Sequence, residues 1–137
     1  MALSEDLPPK KDRPAHRSAT RILAQYEVSG SLDLELGQSL LLESAYNGDI
    51  EVVDKLLKLG VSLDAADKVT GMTALHLAVG RDHLALVRFL VERGASFVLD
   101  KQGRMPTIIA AECEVSEELC DFIVEAEAEA EARGKGV

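Results

Sequence analysis

Thr73 and His76 are the residues of this chain whose types and spacing could most directly do chemistry. They lie in the run "GMTALHLA", where the histidine stands between two leucines. A histidine near a hydroxyl group can act as a general base, as a metal ligand or as a structural hydrogen-bonding group. If His76 were a catalytic base, the protein would be a thiol or acid-base hydrolase that combines His76 with Cys113 and a nearby carboxylate.

The spacing of the histidines and cysteines does not favour a metal site. His76 and His83 are seven residues apart, and so are Cys113 and Cys120, whereas two ligands on one helical face need a spacing of three or four. The chain contains no C-x-x-C pair and no glycine-rich phosphate loop. We therefore predict no metal and no cofactor, and we expect both cysteines to be small buried apolar residues without a disulfide.

The chain is acidic and poor in aromatic residues. Its 137 residues carry a net charge of -9, and 47% of them are hydrophobic while 4% are aromatic. A negative chain is a poor ligand for nucleic acid or for an anionic membrane, and no apolar run approaches the roughly 20 residues that span a bilayer. The N-terminus lacks the apolar core of a signal peptide. We predict one modest cytoplasmic domain, built mainly from helices, with neither nucleic acid nor membrane as a partner.

The sequence repeats itself along most of its length. The run from Ser39 aligns with the run from Thr73 at a shift of 34 residues, and a third copy begins at Gly103 at a shift of 32. Each copy contains a short helix, a polar turn and a second helix, which Gly60 or Gly94 closes in the first two copies. Because one helical hairpin cannot bury its apolar face alone, such copies stack side by side.

Other glycines mark where the copies begin. We expect Gly37, Gly71 and Gly103 to open the three copies. Ahead of them, the apolar stripe of residues 19–29 predicts a helix that Gly30 ends, which makes this segment a half repeat. The intervening run "SLDLELG" alternates apolar and polar residues, and this alternation predicts an extended connection.

The run "GMTALHLA", followed by "DHLALVRFLVERGAS", resembles the ankyrin repeat over about residues 19–126. The resemblance implies an all-α solenoid of stacked helix-turn-helix units, joined by loops or short hairpins. It also implies that Thr73 and His76 are structural and hydrogen-bonded at the first turn of an inner helix, with His76 tying neighbouring loops together. The third copy departs from the pattern, because Met105 and Ile108 replace the threonine and the histidine.

The repeats also suggest how the chain is divided. We predict a disordered tail, a half repeat and three full repeats, with the boundaries 1–17, 18–36, 37–66, 67–99 and 100–126. The final segment, 127–137, alternates glutamate and alanine. This pattern has high helix propensity but no apolar face, so it predicts a solvated helical extension that frays before Gly134.

In ankyrin proteins, the loop tips and the exposed face of the inner helices bind other proteins. Carried over to this chain, the resemblance implies the partner-binding residues Tyr46, Asn47, Lys68, Val69, Thr70, Met72, Arg81, Lys101, Gln102, Arg104 and Glu112. The loops differ from the family in length, because Thr70 looks like an insertion before Gly71 and the loop before Asp100 is one residue short. In that second loop we expect Phe97 to pack inward and either Val98 or Leu99 to be exposed.

Charge is unevenly distributed along the chain. The implied binding residues include four bases and one acid, whereas residues 112–131 hold nine acids and no base. We predict a non-catalytic protein–protein interaction module, either an adaptor or a stoichiometric inhibitor, that is monomeric, with a homodimer as the alternative. An immunity or antitoxin-type inhibitor of a basic toxin is the second hypothesis, and the hydrolase with Cys113 and His76 is the third.

Overall fold

The computed structural model describes residues 34–134, which form six helices arranged as three hairpins. The inner helices are α1 (Leu34–Asn47), α3 (Ala74–Gly80) and α5 (Pro106–Glu112), and the outer helices are α2 (Ile50–Lys58), α4 (Leu84–Glu92) and α6 (Glu117–Ala132). Within this range, β-type pairing is limited to one antiparallel bridge between Ala66 and Thr73. The all-α prediction is confirmed. The tail 1–17, the helix 19–29 with Gly30, and residues 135–137 lie outside the described residues.

Equivalent positions of the three copies form the centre of the core. Val53, Val87 and Leu119 are related by the shifts of 34 and 32 residues, and all three are fully buried. Helix α3 packs against α1 on one side and against α5 on the other, while α4 contacts α6. The apolar core therefore runs continuously from copy to copy. Phe97 packs inward and Leu99 is exposed, as predicted.

Residues in the left-handed conformation end two outer helices and also connect the two helices of each hairpin. Gly60 and Gly94 have φ values of 98° and 93°, as expected for residues that follow the end of a helix. Three equivalent positions, Gly48, Asp82 and Glu114, have φ values of 77°, 60° and 54° between the inner and outer helix. A left-handed residue other than glycine costs roughly 1–2 kcal/mol, so the second and third hairpins contain local strain that the first avoids.

The start of α1 differs from the prediction. The alternating run is helical from Leu34 onwards, and Gly37 is buried inside the helix instead of opening the copy. Leu36 and Leu40 explain the difference, because both pack on the core from positions i and i+4 of a helix. In so short a segment the same apolar residues fit both the period of two of a strand and the period of 3.6 of a helix. The helix forms because it buries Leu36 and Leu40 on one face.

The glutamate-alanine segment is helical as far as Ala132. The prediction that this segment is solvated is wrong for part of it. Ala126 and Ala130 are 6% and 3% exposed and belong to the apolar core. Together with Ile123 they form an i, i+3, i+7 face. Alanine is apolar and small, so this face lets α6 pack closely, while Glu125, Glu129 and Glu131 are exposed.

The expectation of two buried cysteines is wrong. Cys113 is exposed and Cys120 is half-buried, and both are free thiols in the part of the chain that the structure describes. Cys113 follows the last residue of α5 and caps that helix, which places its side chain at the turn between two helices instead of in the core.

Candidate partner-binding surface

The Thr73–His76 motif is a hydrogen-bonded cap at the start of α3. The hydroxyl of Thr73 accepts the backbone N–H of His76 at 3.4 Å, and Nδ1 of His76 accepts the backbone N–H of Thr73 at 3.1 Å. Because Nδ1 is an acceptor, Nε2 must carry the ring proton, and it donates to the carbonyl of Arg104 at 3.0 Å. The ring therefore fastens the second repeat to the loop of the third.

Both nitrogens of His76 are thus engaged inside the protein. The side chain is fully buried, and this burial lowers its pKa below the ordinary value of 6.5, although the Arg104 carbonyl and the Asp100 carboxylate act in the opposite direction. A fully enclosed ring with two partners is not available to activate the exposed thiol of Cys113. The arrangement supports the structural role of the motif.

Asp67 organises the first loop tip, which precedes α3. Its carboxylate accepts the backbone N–H groups of Val69 at 2.6 Å and of Thr70 at 3.2 Å. Its carbonyl accepts the N–H of Gly71 at 2.7 Å, and its own N–H donates to the carbonyl of Met72 at 2.9 Å. The result is a tight turn with a fixed backbone, in which the side chain of Val69 is 82% exposed.

Asp100 organises the second tip, which precedes α5, in the same way. Its buried carboxylate accepts the backbone N–H groups of Gln102 and Arg104 and the Nε–H of Arg104, each at 2.9 Å. Burial alone would raise the pKa of Asp100, but these donors outweigh burial and lower it below 3.8. The N–H of Gly103 closes the turn on the carbonyl of Asp100 after three residues. The first tip needs four residues, from Asp67 to Gly71, which agrees with Thr70 as an inserted residue.

The two tips are joined to each other. The backbone N–H of Lys101 donates to the carbonyl of Thr70 at 2.9 Å, and its ammonium group donates to the carbonyl of Lys68. Gly71 makes this approach possible, because a Cβ at that position would lie 2.8 Å from the backbone nitrogen of Lys101. We name the resulting surface the tip platform, which consists of Lys68, Val69, Thr70, Lys101 and Gln102.

The remaining residues of the predicted binding set lie elsewhere. Met72 is half-buried and packs on the core below the platform. Tyr46 and Asn47 end α1 and Arg81 caps α3, so they lie at the other end of the inner helices. There the guanidinium of Arg81 stacks on the ring of Tyr46, 4.6 Å from its centre.

Ion pairs with acidic side chains reduce the positive charge that the sequence suggested for the predicted binding residues. Arg104 is 2.9 Å from both Asp100 and Glu112, so it serves as a clamp between the second tip and the end of α5. Lys68 pairs with Glu35 of α1 at 3.5 Å. Within residues 34–134, Lys101 forms no ion pair, although its ammonium group is held by the carbonyl of Lys68.

Two features of this region were not anticipated from the sequence. A cleft of about 220 Å³ lies between the first turns of α1 and the segment that leads into the first tip. At the other end of the inner helices, Nε2 of His83 bonds to the carbonyl of Tyr46 at 2.9 Å. A Cβ on Gly48 would lie only 2.7 Å from Nδ1 of His83, so the imidazole ring fills the space that a side chain there would need. Gly48 is the signal in the sequence, because the absence of a side chain there leaves room for the ring of His83.

Within the described residues, neither a metal-binding group nor a membrane-crossing helix is found. No three histidine, cysteine or acidic side chains come together there in a way that could hold a metal ion. None of the six helices is long and apolar enough to cross a bilayer.

These features define a stack of helical hairpins with a structural histidine motif and rigid loop tips. A family model for ankyrin repeats in three copies matches residues 16–133, and the chain belongs to the ankyrin-repeat family. Ankyrin repeats are general protein–protein interaction modules and are generally non-catalytic.

Several known proteins contain a similar segment. The chain is 37% identical over 89 residues to ankyrin repeat domain-containing protein 40 of Homo sapiens, which covers 64% of this chain and 24% of that protein. It is 33% identical over 92 residues to the ankyrin repeat, SAM and basic leucine zipper domain-containing protein 1 of Ovis aries, covering 67% and 19%. A match at 38% identity to an L-asparaginase of Dirofilaria immitis covers 53% of the chain and 12% of that protein. The chain thus spans at most a quarter of these relatives, and the partial match to an enzyme supports no activity here.

Proposed function

We propose that this chain is a non-catalytic interaction module, an adaptor or a stoichiometric inhibitor, and that it binds a partner protein through the tip platform. The supporting observation is the side chain of Val69, which is 82% exposed on a turn whose backbone is held by the Asp67 carboxylate. A large apolar side chain in such a position has no role in packing the core. A single exposed apolar side chain is common on protein surfaces, and what supports a binding role for Val69 is the ordered backbone that presents it beside the second tip.

The rigidity of the platform favours binding. Association costs free energy for every side chain and loop that must be ordered at the interface. Here the two tips are already ordered by their own aspartates and by the bond from Lys101 to Thr70. A partner would therefore meet a surface whose backbone needs little rearrangement.

A pair of matched variants tests this proposal. Val69→Asp places a charge on the platform, and Val124→Asp makes the same change on the exposed face of α6, where Val124 is 58% exposed. Each tagged protein is used to capture partners from extract of the cells that express the chain, with quantitative mass spectrometry of the bound fraction. We expect at least one partner that V69D loses and V124D retains. The proposal fails if V69D retains every partner, or if both variants lose the same ones.

A narrower role as inhibitor of a basic protein is supported by a different surface. Helix α6 exposes several acids, among them Glu125 and Glu129, and the segment that contains it has no basic residue between 112 and 131. Such a surface attracts a cationic partner over a distance, and the attraction weakens with salt. The double variant E125K/E129K should lose a basic partner that the wild type binds at low salt. A partner that tolerates both the variant and high salt would exclude this role.

The proposed module acts as a monomer, with a homodimer as the alternative, and in the cytoplasm. Both statements still rest on the sequence. Light scattering after size exclusion measures the mass in solution, and the mass of one chain is expected. Fractionation of the cells that express the chain tests the compartment, and recovery in a membrane or secreted fraction would contradict it.

A further inference from the structure

The third copy exposes the face by which the other copies meet their neighbours. In the second copy, His76 contacts the following copy through the carbonyl of Arg104. Ile108 occupies the equivalent position of the third copy, and its side chain is 46% exposed. Val124 of α6 is 58% exposed. Among residues 34–134 no further copy follows, so these apolar side chains are open to a partner.

A groove of about 290 Å³ lies on this face, between α5 and α6. Its lining consists of Thr107, Val124, Glu127, Ala128 and Glu131. Val124 and Ala128 are four residues apart on α6, so they lie on one side of that helix and form an apolar floor. Glu127 and Glu131 have the same spacing and bring two carboxylates to the groove. We name the groove together with Ile108 the end face.

One of the two carboxylates is held in place by α5. The hydroxyl of Thr107 donates a hydrogen bond to the carboxylate of Glu127. The equivalent residues of the other copies are Leu41 and Leu75, which are buried in the core. The third copy thus has a hydroxyl group where the others have a core leucine, and this hydroxyl fixes a negative charge on the end face. A charge that is already ordered binds a ligand at a lower cost in entropy.

Every ionisable group that lines the groove is acidic. Among residues 34–134, neither Glu127 nor Glu131 forms an ion pair. Arg104, the base of the second tip, is already paired with two acids. Arg133 follows Glu131 by two residues, and side chains two residues apart on a helix do not face each other. The charge of the groove therefore favours a cationic occupant.

The position of the end face in the stack favours a helix as that occupant. Helix α3 packs on α1, and α5 packs on α3, so the equivalent faces of the first two copies each receive a helix. Helices that bind in grooves present apolar residues at i, i+3, i+4 and i+7. A second copy that used the same face would bring its own glutamates against Glu127 and Glu131, and like charges in contact are costly. A helix with basic residues beside its apolar stripe fits both the shape and the charge.

We propose that the end face binds a basic, amphipathic helix of a partner protein. The apolar stripe of that helix packs on Ile108, Val124 and Ala128, and an arginine or lysine beside the stripe binds Glu127 and Glu131. The methylene groups of such a side chain cover apolar surface while its charged end meets the carboxylates. This inference rests on the narrower role proposed above, the binding of a basic protein, and it concerns that partner and not the one that the tip platform selects.

The test uses the full chain and a display library of random peptides. Peptides that bind the double variant E127K/E131K are removed first, and the remaining pool is selected on the wild type. We expect enrichment of peptides that carry arginine or lysine beside an apolar stripe of helical spacing. Binding of an enriched peptide to each variant is then measured by fluorescence anisotropy at physiological salt, where exposed charges are largely screened beyond about 8 Å.

Three single variants separate the contacts. Val124→Ser removes an apolar contact without a change of charge, and Glu131→Lys reverses one charge of the groove. Glu92→Lys is the matched control, because it makes the same charge change at an exposed position of α4. We expect V124S and E131K to weaken binding by about tenfold or more, as for central contacts of an interface, while E92K binds like the wild type. Circular dichroism confirms that every variant is folded.

The inference is overturned if no peptide is enriched, if the enriched peptides lack the basic and apolar pattern, or if either V124S or E131K binds as tightly as the wild type. Light scattering that gives the mass of two chains for the wild type and of one chain for V124S would assign the face to a second copy and overturn it as well.

The outcomes also separate this inference from the roles proposed above. A basic partner that E125K/E129K loses and E131K retains would leave the narrower role standing and reject the end face. An enriched peptide that depends on Val124 and Glu131, for a chain that captures no salt-sensitive basic partner, would do the reverse. V69D should bind the peptide like the wild type, and loss of binding in V69D would assign the peptide to the tip platform and reject the end face.

Discussion

Replacing His76 by leucine should unfold this protein more easily, although the substitution keeps most of the apolar volume. The wild-type ring is fully buried and satisfies two backbone groups, the N–H of Thr73 and the carbonyl of Arg104. Leucine leaves the N–H of Thr73 buried without this partner, whereas the carbonyl of Arg104 keeps the N–H of Asp100 as a donor at 3.0 Å. The orphaned N–H costs about 1–3 kcal/mol and the hydrogen bond lost at the carbonyl about 1 kcal/mol, so we expect a total loss of roughly 2–4 kcal/mol.

Such a loss is a large part of the total stability, which for native proteins is about 5–15 kcal/mol. Because the chain contains no tryptophan, urea unfolding is best followed by far-ultraviolet circular dichroism. Ile108 provides the matched control, since it occupies the equivalent position of the third copy and is 46% exposed. Ile108→Leu should change stability by less than about 0.5 kcal/mol. A loss below about 1 kcal/mol in H76L would refute the structural role of the ring.

Three further predictions concern the same scaffold. Lowering the pH from 6.5 towards about 5 should destabilise the wild type, because His76 has a lowered pKa and stays neutral when folded while the unfolded chain takes up a proton. Urea unfolding at several pH values should show a smaller slope in H76L, and equal slopes in the two proteins would contradict this. Glu114→Gly should stabilise the fold by roughly 0.5–1 kcal/mol, because the relief of left-handed backbone strain exceeds the cost of the entropy that glycine adds to the unfolded chain. A melting temperature lower than that of the wild type would contradict this. Gly71→Ala should cost roughly 2 kcal/mol or more, because its positive φ is combined with a clash against Lys101. Gly60→Ala, which meets no neighbour, measures the backbone part alone, and equal losses in the two variants would disprove the clash.

The features that were predictable from the sequence depend on residues close together in the chain. The spacing of Thr73 and His76 indicates a helix cap, and this cap forms within one turn. The closing glycines are similar, because a left-handed residue at the end of a helix is a local requirement. The period of the copies was predictable because each copy buries the same positions, as Val53 and Val87 do.

The features that were missed depend on contacts between distant parts of the chain. Nothing in the spacing of Arg104 and Glu112 indicates that they pair, because the pairing follows from the path of the second tip. The burial of Ala126 and Ala130 depends on how closely α6 approaches the rest of the stack. An alternating glutamate-alanine pattern looks fully polar unless alanine is counted as an apolar residue that fits where two helices nearly touch.

The two histidine contacts have a consequence for how the stack unfolds. His83 joins the second repeat to the carbonyl of Tyr46 in the first, and His76 joins it to the carbonyl of Arg104 in the third. In a solenoid, stability is approximately the sum of a term for each repeat and a coupling term for each junction between neighbours. Since both junctions of the second repeat contain a buried or half-buried hydrogen bond of this kind, an end repeat cannot detach without breaking one. The described part of the chain should therefore unfold as a single cooperative unit instead of losing its repeats one after another.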